Sequence, residues 1–190
     1  GFTHVDVITR NKGIIERDMQ RLSGVDDSAA LERLSAGRPA FAGLDLLATR
    51  LMGIVNVTPD SFSDGGKLTS AAAAISHGQQ LAAEGADILD VGGESTRPGS
   101  DTVDDDEELR RVLPVVEALA GSHAVSIDTR KSGVMVRAIA AGAKIINDVS
   151  ALGHDPKSAI VVKDARCPVV LMHAQGEPKT MQLQPKYEDV

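Results

Sequence analysis

Short apolar runs alternate with amphipathic stretches from about residue 50 onward. Five of these runs are bounded by Gly, Pro or polar residues, and this pattern is typical of buried strands. The runs are Leu51–Val57, Asp87–Val91, Val125–Asp128, Lys144–Val149 and Pro168–Met172. Each gap between them is long enough to hold a crossover helix. The alternation therefore predicts an α/β fold with a parallel sheet.

Four stretches between and after these runs carry the start and stop signals of helices. The first is expected to begin after Ser70 as its N-cap and to end at Gly85, a left-handed cap. The acidic run 104–108 favours the positive end of a helix dipole, so we interpret it as a helix start rather than a metal site. The third helix is predicted over Ser132–Ala141 and the fourth near Pro156–Ala165.

Residues 1–49 follow a different pattern, and we assign them no chemistry. Three alternating positions predict a strand: Val5, Val7 and Thr9. The segment Asp27–Leu34 is predicted to be a short helix, and Phe41–Leu47 is expected to form a hairpin that closes the bottom of a barrel. The predicted organisation is an N-terminal extension with this hairpin over 1–49 and a partial barrel over 50–190.

Composition narrows the possible partners. The 190 residues carry 20 basic and 27 acidic side chains, a net charge of −7, which argues against a nucleic-acid surface. No apolar run reaches the roughly 18 residues of a membrane span, and no signal peptide opens the chain. A single cysteine, Cys167, cannot form an internal disulfide, so a cytoplasmic location is expected.

Polar residues follow all five predicted strands at their carboxyl ends. They are Asn56, the segment Gly92–Gly99, Asp128, Asn147 and His173. Reactive groups of parallel α/β proteins gather at these ends, so we expect a cleft there.

The segment Gly92–Gly99 has the composition of an anion-binding loop. Its glycines let the backbone approach a ligand, Ser95 and Thr96 offer hydroxyls, and Arg97 offers a bidentate fork for phosphate. A solvated turn with a surface arginine is the alternative interpretation. The earlier segment Asn56–Gly66 contains Phe62, which either covers a ligand or anchors the loop.

Two of these segments strongly resemble the signatures of the dihydropteroate synthase family. Asn56–Gly66 resembles the first signature and Asp90–Gly99 the second. Three further strand ends are similar to the family in order and spacing: Ser126–Thr129, Ile145–Val149 and Leu171–Gly176. The resemblance covers about residues 50–190 and extends only loosely to residues 1–49.

The resemblance implies a pterin-binding (β/α)8 TIM barrel, of which this chain carries about the first five β/α units. It also implies a sulfonamide-sensitive transferase of folate biosynthesis. Such an enzyme joins p-aminobenzoate to (7,8-dihydropterin-6-yl)methyl diphosphate and releases dihydropteroate and pyrophosphate.

The resemblance assigns a first set of residues to the pterin and the metal. Asn56 would bind Mg²⁺, with waters and pyrophosphate as the other ligands. Asp128 and Asn147 would hydrogen-bond the pterin ring, and Asp128 is counted as catalytic. Asp60 and Asp64 would order the first loop.

A second set would contact the other two groups. Ser95, Thr96 and Arg97 would bind the diphosphate, with Arg97 as the second catalytic residue that stabilises the leaving charge. Phe62 and Pro98 would form the walls of the p-aminobenzoate site.

Two features depart from the family pattern. The family barrel has eight strands and about 250 residues, whereas five strands are counted here. We therefore expect a portion of a synthase, which alone would have low solubility and no turnover because its sheet edges are open. A homodimer is expected for the full-length protein, since the family's dimer surface lies on later helices. Arg130 also stands where the family often has a smaller residue, and we interpret it as a solvated surface arginine.

Two other functions remain open. A non-catalytic pterin-binding paralogue or accessory barrel would bind the pterin diphosphate without forming product. A pterin-dependent methyltransferase, which transfers a methyl group to a corrinoid, would share the roles of Asp128 and Asn147. That class lacks the segment Ser95–Pro98, so it is the weaker alternative.

Overall fold

The computed structural model describes residues 2–57, 67–95, 102–173 and 186–187, without the side chains at positions 28 and 67–70. Two compact units divide between Pro39 and Ala40. The strands are β1 (His4–Asn11), β2 (Ile14–Arg21), β3 (Met52–Asn56), β4 (Ile88–Gly92), β5 (Ala124–Asp128), β6 (Ile145–Asp148) and β7 (Val169–Leu171). The helices are α1 (Ser28–Ser35), α2 (Lys67–Ala83), α3 (Asp105–Ala120), α4 (Ser132–Ala140) and α5 (Ser158–Ala165).

The first unit is an antiparallel hairpin followed by a short helix. The predicted strand is confirmed as β1, which pairs with β2 from His4↔Arg21 to Asn11↔Ile14. Lys12 and Gly13 form the two-residue turn with φ of +49° and +84°, as a type I′ turn requires. The strand β2 was not predicted, because nearly all its side chains are exposed and show no buried alternation.

The predicted helix of this unit is confirmed as α1. The Asp27 side chain accepts a hydrogen bond from the Ala30 amide at 2.8 Å, so Asp27 is the N-cap. The segment expected to form a hairpin over Phe41–Leu47 lies in the second unit. It forms a tight turn there, with one antiparallel bridge between Phe41 and Leu44.

The second unit is built on a five-stranded parallel sheet. The strand order is β3-β4-β5-β6-β7, identical to the order along the chain, and every neighbouring pair is parallel. All five predicted strands are confirmed, and each end lies within one residue of its predicted position.

The helices of this unit lie on one face of the sheet. Sequential parallel strands joined by right-handed crossovers place every helix on the same side. Consistent with this, α2 contacts α3, α3 contacts α4, and α4 contacts α5. This arrangement is that of a barrel rather than of a doubly wound sheet, in which the strand order reverses. The core between sheet and helices is aliphatic and includes Val55, Leu89, Val91, Val112, Val116, Leu119, Ile127, Met135 and Ile146.

Two predicted helix ends are confirmed and one is wrong. The Asp104 side chain accepts from the Glu107 amide at 2.8 Å and caps α3, whose first turn is acidic. Gly85 ends α2 with φ of +111°. The predicted start after Ser70 is wrong, because α2 already begins at Lys67. Lys and Leu favour helix, and no Gly or Pro lies between Lys67 and Ser70.

Among the described residues, no helix is long and apolar enough to cross a lipid bilayer.

Gly142 joins α4 to β6 at a point where a side chain has no room. Its φ is +110°, and an added Cβ would lie 2.7 Å from the Ala120 Cβ. We expect Gly142→Ala to lower the free energy of unfolding by about 2 kcal/mol or more, through left-handed strain and overpacking. Urea unfolding followed by circular dichroism measures the change.

Gly121→Ala is the matched control. Gly121 has right-handed helical angles, and an added Cβ would meet nothing within 4 Å. We expect that variant to be neutral or about 0.5 kcal/mol more stable. Equal effects of the two substitutions would contradict the packing described for Gly142.

Candidate functional site

The register of the parallel sheet aligns the polar strand ends in one row. Asn56 pairs with Gly92, Gly92 with Asp128, Asp128 with Asn147, and Asn147 with Val170. Partners in register point to the same face of a sheet. The alternate residues, such as Val55 and Ile127, are fully buried in the helix-covered core. Asn56, Asp128 and Asn147 therefore share the face opposite the helices, at the carboxyl edge.

A further carboxyl lies on β4, two residues before the member of this row on that strand. Asp90, on β4, is 6% exposed and accepts a hydrogen bond from the Asn147 amide Nδ2 at 2.9 Å. Burial raises the pKa of Asp90, and the hydrogen bond from Asn147 opposes that rise. Sequence reasoning gave Asp90 no role of its own. The available signal was an acid inside an otherwise apolar strand, Ile88–Gly92.

Asp128 lies in the most acidic surroundings of the site. Burial and then the charges of neighbouring carboxylates raise its pKa to about 7. These carboxylates belong to Asp90, Glu108, Asp148 and Glu94, in order of decreasing effect. At neutral pH the Asp128 carboxyl is thus poised between its two protonation states.

Four charged side chains form a buried group beside Asp128, which we call the Glu94 cluster: Glu94, Glu108, Arg130 and Lys131. Arg130 Nη2 lies 2.7 Å from Glu94 Oε1, and Lys131 Nζ contacts Glu94 Oε2 and lies 2.5 Å from Glu108 Oε2. All four side chains are at most 10% exposed. Two acids and two bases thus compensate one another out of water.

The position of Arg130 corrects the sequence-based interpretation. Arg130 was expected to be a solvated surface residue, and this is wrong, because it is only 6% exposed. It follows β5 directly, where the chain is still enclosed by β4 and α3. Its charge is accommodated there by the carboxylate of Glu94. No local sequence pattern reports this partner, which lies 36 residues away.

The pKa shifts within this cluster follow from its ion pairs. Burial raises the pKa of Glu94, but hydrogen bonds from Lys131 and Arg130 outweigh it and hold the pKa below its usual value. Burial likewise lowers the pKa of Lys131, but hydrogen bonds to Glu108 and Glu94 outweigh it and raise the pKa. Glu94 and Lys131 are therefore both charged at neutral pH.

A small pocket opens between this cluster and the strand row. Its lining residues are Glu94, Glu108, Asp128, Thr129, Arg130 and Val149. The polar row and the ion cluster thus border a common space.

The segment after β6 is held by a buried carboxylate. Asp148 Oδ1 accepts from the Ser150 amide and hydroxyl, both at 2.7 Å, and Oδ2 accepts from the Leu152 amide at 3.1 Å. Ala151 and Leu152 adopt φ of +52° and +64° in this turn. These contacts fix the chain immediately after Asn147.

Ser95 and His173 complete the predicted residues for which the structure gives a position. Ser95 is half-buried directly after Glu94. His173 follows β7, and its Nε2 lies 3.0 Å from the Tyr187 hydroxyl. The remaining predicted residues lie outside the described part of the chain: Asp60, Phe62, Asp64, Thr96, Arg97 and Pro98.

Asn56 offers an exposed amide at the carboxyl end of β3. Within the described ranges, no group of three or more His, Cys, Asp or Glu side chains is arranged to hold a metal ion. A lone amide oxygen suits a cation such as Mg²⁺, which keeps most of its waters and substrate oxygens and needs few protein ligands. The donor set therefore fits the predicted role of Asn56.

A family model described as pterin binding enzyme matches residues 52–190. The match covers the whole parallel sheet and omits the hairpin unit.

Individual relatives agree with this match. The dihydropteroate synthase of Neisseria meningitidis serogroup B is 51% identical over 151 residues, which are 78% of this chain and 52% of the relative. A structure of Xanthomonas albilineans dihydropteroate synthase with 4-aminobenzoic acid superposes with a TM-score of 0.71 and 53% identity, over 82% of this chain and 56% of that chain. A second structure from that organism, in complex with 7,8-dihydropteroate, gives a TM-score of 0.64 and 50% identity, over 77% and 50% of the two chains.

The chain spans about half the length of the curated relatives it matches. The superpositions show that its sheet and helices, five strands and four helices among the described residues, form part of the same barrel fold.

We expect Asp128→Asn to stabilise the protein at high pH relative to low pH. The pKa of Asp128 in the folded protein is about 7, above its ordinary value of 3.8. Between these two pH values the carboxyl is therefore ionised in the unfolded chain and protonated in the folded wild type. Wild-type stability therefore falls as pH rises through this window. The difference in unfolding free energy, variant minus wild type, should increase by about 2 to 4 kcal/mol between pH 4.5 and 8.

Urea unfolding at both pH values measures this difference. Asp26→Asn removes the same charge from an exposed position and serves as the control. A difference that does not change with pH for Asp128→Asn would show that the carboxyl titrates normally.

Proposed function

Because the chain belongs to the pterin-binding enzyme family, we propose that the protein catalyses the condensation that forms dihydropteroate. It joins p-aminobenzoate to (7,8-dihydropterin-6-yl)methyl diphosphate and releases pyrophosphate. The observation that carries this proposal is the row of Asn56, Asp128 and Asn147 on one face at the strand ends. The relatives named dihydropteroate synthase support it.

Asp128 and Asn147 bind the pterin ring. A carboxylate accepts hydrogen bonds from neighbouring N–H donors, and an amide offers both a donor and an acceptor. The Asn147 Nδ2 donates to Asp90, so its oxygen is left to face the ligand. Asp90 thereby orients the amide, and the half-buried position of Asp128 strengthens each hydrogen bond.

The diphosphate is bound at the neighbouring strand ends. Ser95 and Thr96 donate hydroxyls, and Arg97 offers two parallel N–H groups to the phosphate oxygens. Asn56 would hold Mg²⁺, which would supply positive charge to offset that of the diphosphate. The proposed diphosphate site therefore adjoins the proposed pterin site at the carboxyl ends of the strands.

The reaction breaks the bond between the pterin methylene carbon and the diphosphate oxygen. The electron pair leaves with pyrophosphate, and Arg97 stabilises the charge that develops there. The amine nitrogen of p-aminobenzoate then bonds to the methylene carbon and loses a proton to solvent. Phe62 and Pro98 hold the aromatic ring of p-aminobenzoate, and Asp64 orders the first loop.

The proposal includes two properties of the full-length protein. It acts in the cytoplasm, as the single thiol Cys167 favours a reducing compartment. It forms a homodimer, as implied by the resemblance and testable by sedimentation velocity.

The direct test uses the full-length gene product with both substrates and Mg²⁺. Formation of dihydropteroate and pyrophosphate in equal amounts is the expected result, measured by chromatography of the products. Binding of the pterin diphosphate without product would indicate a non-catalytic paralogue. Methyl transfer to a corrinoid without dihydropteroate would favour the methyltransferase.

Substitution of the row residues tests the pterin site. We expect Asp128→Ala and Asn147→Ala each to lower kcat/KM by about ten- to a hundredfold or more, because each removes hydrogen bonds to the ring. Asp26→Ala, at an exposed position outside the matched family region, is the control and should keep wild-type kinetics. Wild-type kinetics in both row variants would overturn this assignment.

A further inference from the structure

We propose that Arg130 is a positioning residue, which fixes the chain where it leaves β4 and so sets the diphosphate-binding residues against the pterin site. This inference rests on the proposed function and adds a residue to which the family resemblance gave no role. Arg130 touches no substrate in this account. It acts through Glu94, which immediately precedes Ser95.

The first support is the burial of the contact between these two side chains. Arg130 Nη2 donates to Glu94 Oε1 at 2.7 Å, and the two side chains are 7% and 9% exposed. An ion pair out of water resists separation, because breaking it would remove one of the two cations that compensate the buried Glu94 carboxylate. The pair therefore holds the Glu94 backbone at a fixed place beside the end of β5.

The second support is that the chain before Glu94 is anchored from the other side. The Gly93 carbonyl accepts from Arg111 Nη1 at 2.8 Å. A Cβ at Gly93 would lie 2.7 Å from Val112 Cγ1, so the backbone lies directly against α3. α3 thus fixes Gly93 and Arg130 fixes Glu94, so the backbone that leads into Ser95 is held from both sides.

The third support is the location of Arg130 along the chain. It stands two residues after Asp128 and borders the same pocket. The contact with Glu94 therefore ties the segment that binds diphosphate to the strand end that binds pterin. One substrate carries both groups, so an error in their separation weakens binding of that substrate.

Lys131 also contacts Glu94, but its part in the cluster differs. Its Nζ is shared between Glu94 and Glu108 and is the cation that pairs with Glu108 among the described residues, so removing it would leave the Glu108 carboxylate buried without an ion-pair partner. Such a change threatens folding. Removing Arg130 leaves Lys131 in contact with both acids, so Arg130 is the residue to substitute.

The test compares Arg130→Gln and Arg130→Lys in the full-length protein. We expect Arg130→Gln to raise KM for the pterin diphosphate about tenfold, with KM for p-aminobenzoate changed less than about twofold. Arg130→Lys, which keeps the charge, should recover most of the loss. Arg17→Gln removes an arginine from an exposed ion pair of the hairpin unit and should leave both KM values unchanged.

A second readout does not depend on catalysis. We expect Arg130→Gln to speed amide hydrogen exchange in the peptide that covers residues 92–95, and Arg17→Gln to leave it unchanged. If the wild type forms no dihydropteroate, the proposed function fails, and exchange still decides whether Arg130 holds this segment. If Arg130→Gln does not fold, Glu94→Gln, which keeps the side-chain shape, is measured in the same two ways.

Unchanged exchange at 92–95 would overturn the proposal. So would faster exchange with both KM values unchanged, because Arg130 would then contribute only to stability.

Discussion

The common direction of the five strands is the constraint on which the second unit depends. Sequential parallel pairing with helices on one face brings every carboxyl end to one edge of the sheet. The register then sets Asn56, Asp128 and Asn147 side by side, although they are distant in sequence. The aliphatic core fixes this register, because a slip of one residue would turn the buried face outward.

Charge compensation shapes the same edge. Five carboxyl groups, those of Asp90, Glu94, Glu108, Asp128 and Asp148, lie near one another where the sheet meets α3. Arg130 and Lys131 neutralise two of them through direct ion pairs. Within the described part of the chain Asp128 has no ion-pair partner, and its pKa rises to about 7. The Glu94 cluster thus lies beside Asp128. Hydrogen bonds from the N–H groups of a ligand would favour the ionised form of the Asp128 carboxyl.

This arrangement joins structure to the proposed chemistry. Glu94 and Arg130 compensate each other's charge through their ion pair, so this pair adds no net charge to the pocket. Asp128 is left as the carboxyl of this edge that is available for the proposed contact with the pterin. The turn held by Asp148 positions Asn147, since it fixes the backbone that carries the Asn147 amide.

The sequence alone determined the five strands to within one residue and the edge on which polar residues gather, because both depend on local periodicity. It also determined the acidic start of α3, because that depends on capping. The family resemblance, rather than periodicity, assigned Asp128 and Asn147 to the pterin, and that assignment stays a prediction. Only the tertiary structure decided that Arg130 is buried against Glu94 and that Asp90 orients Asn147. These contacts join residues 36 and 57 positions apart, and their energy depends on burial, which no stretch of sequence reports.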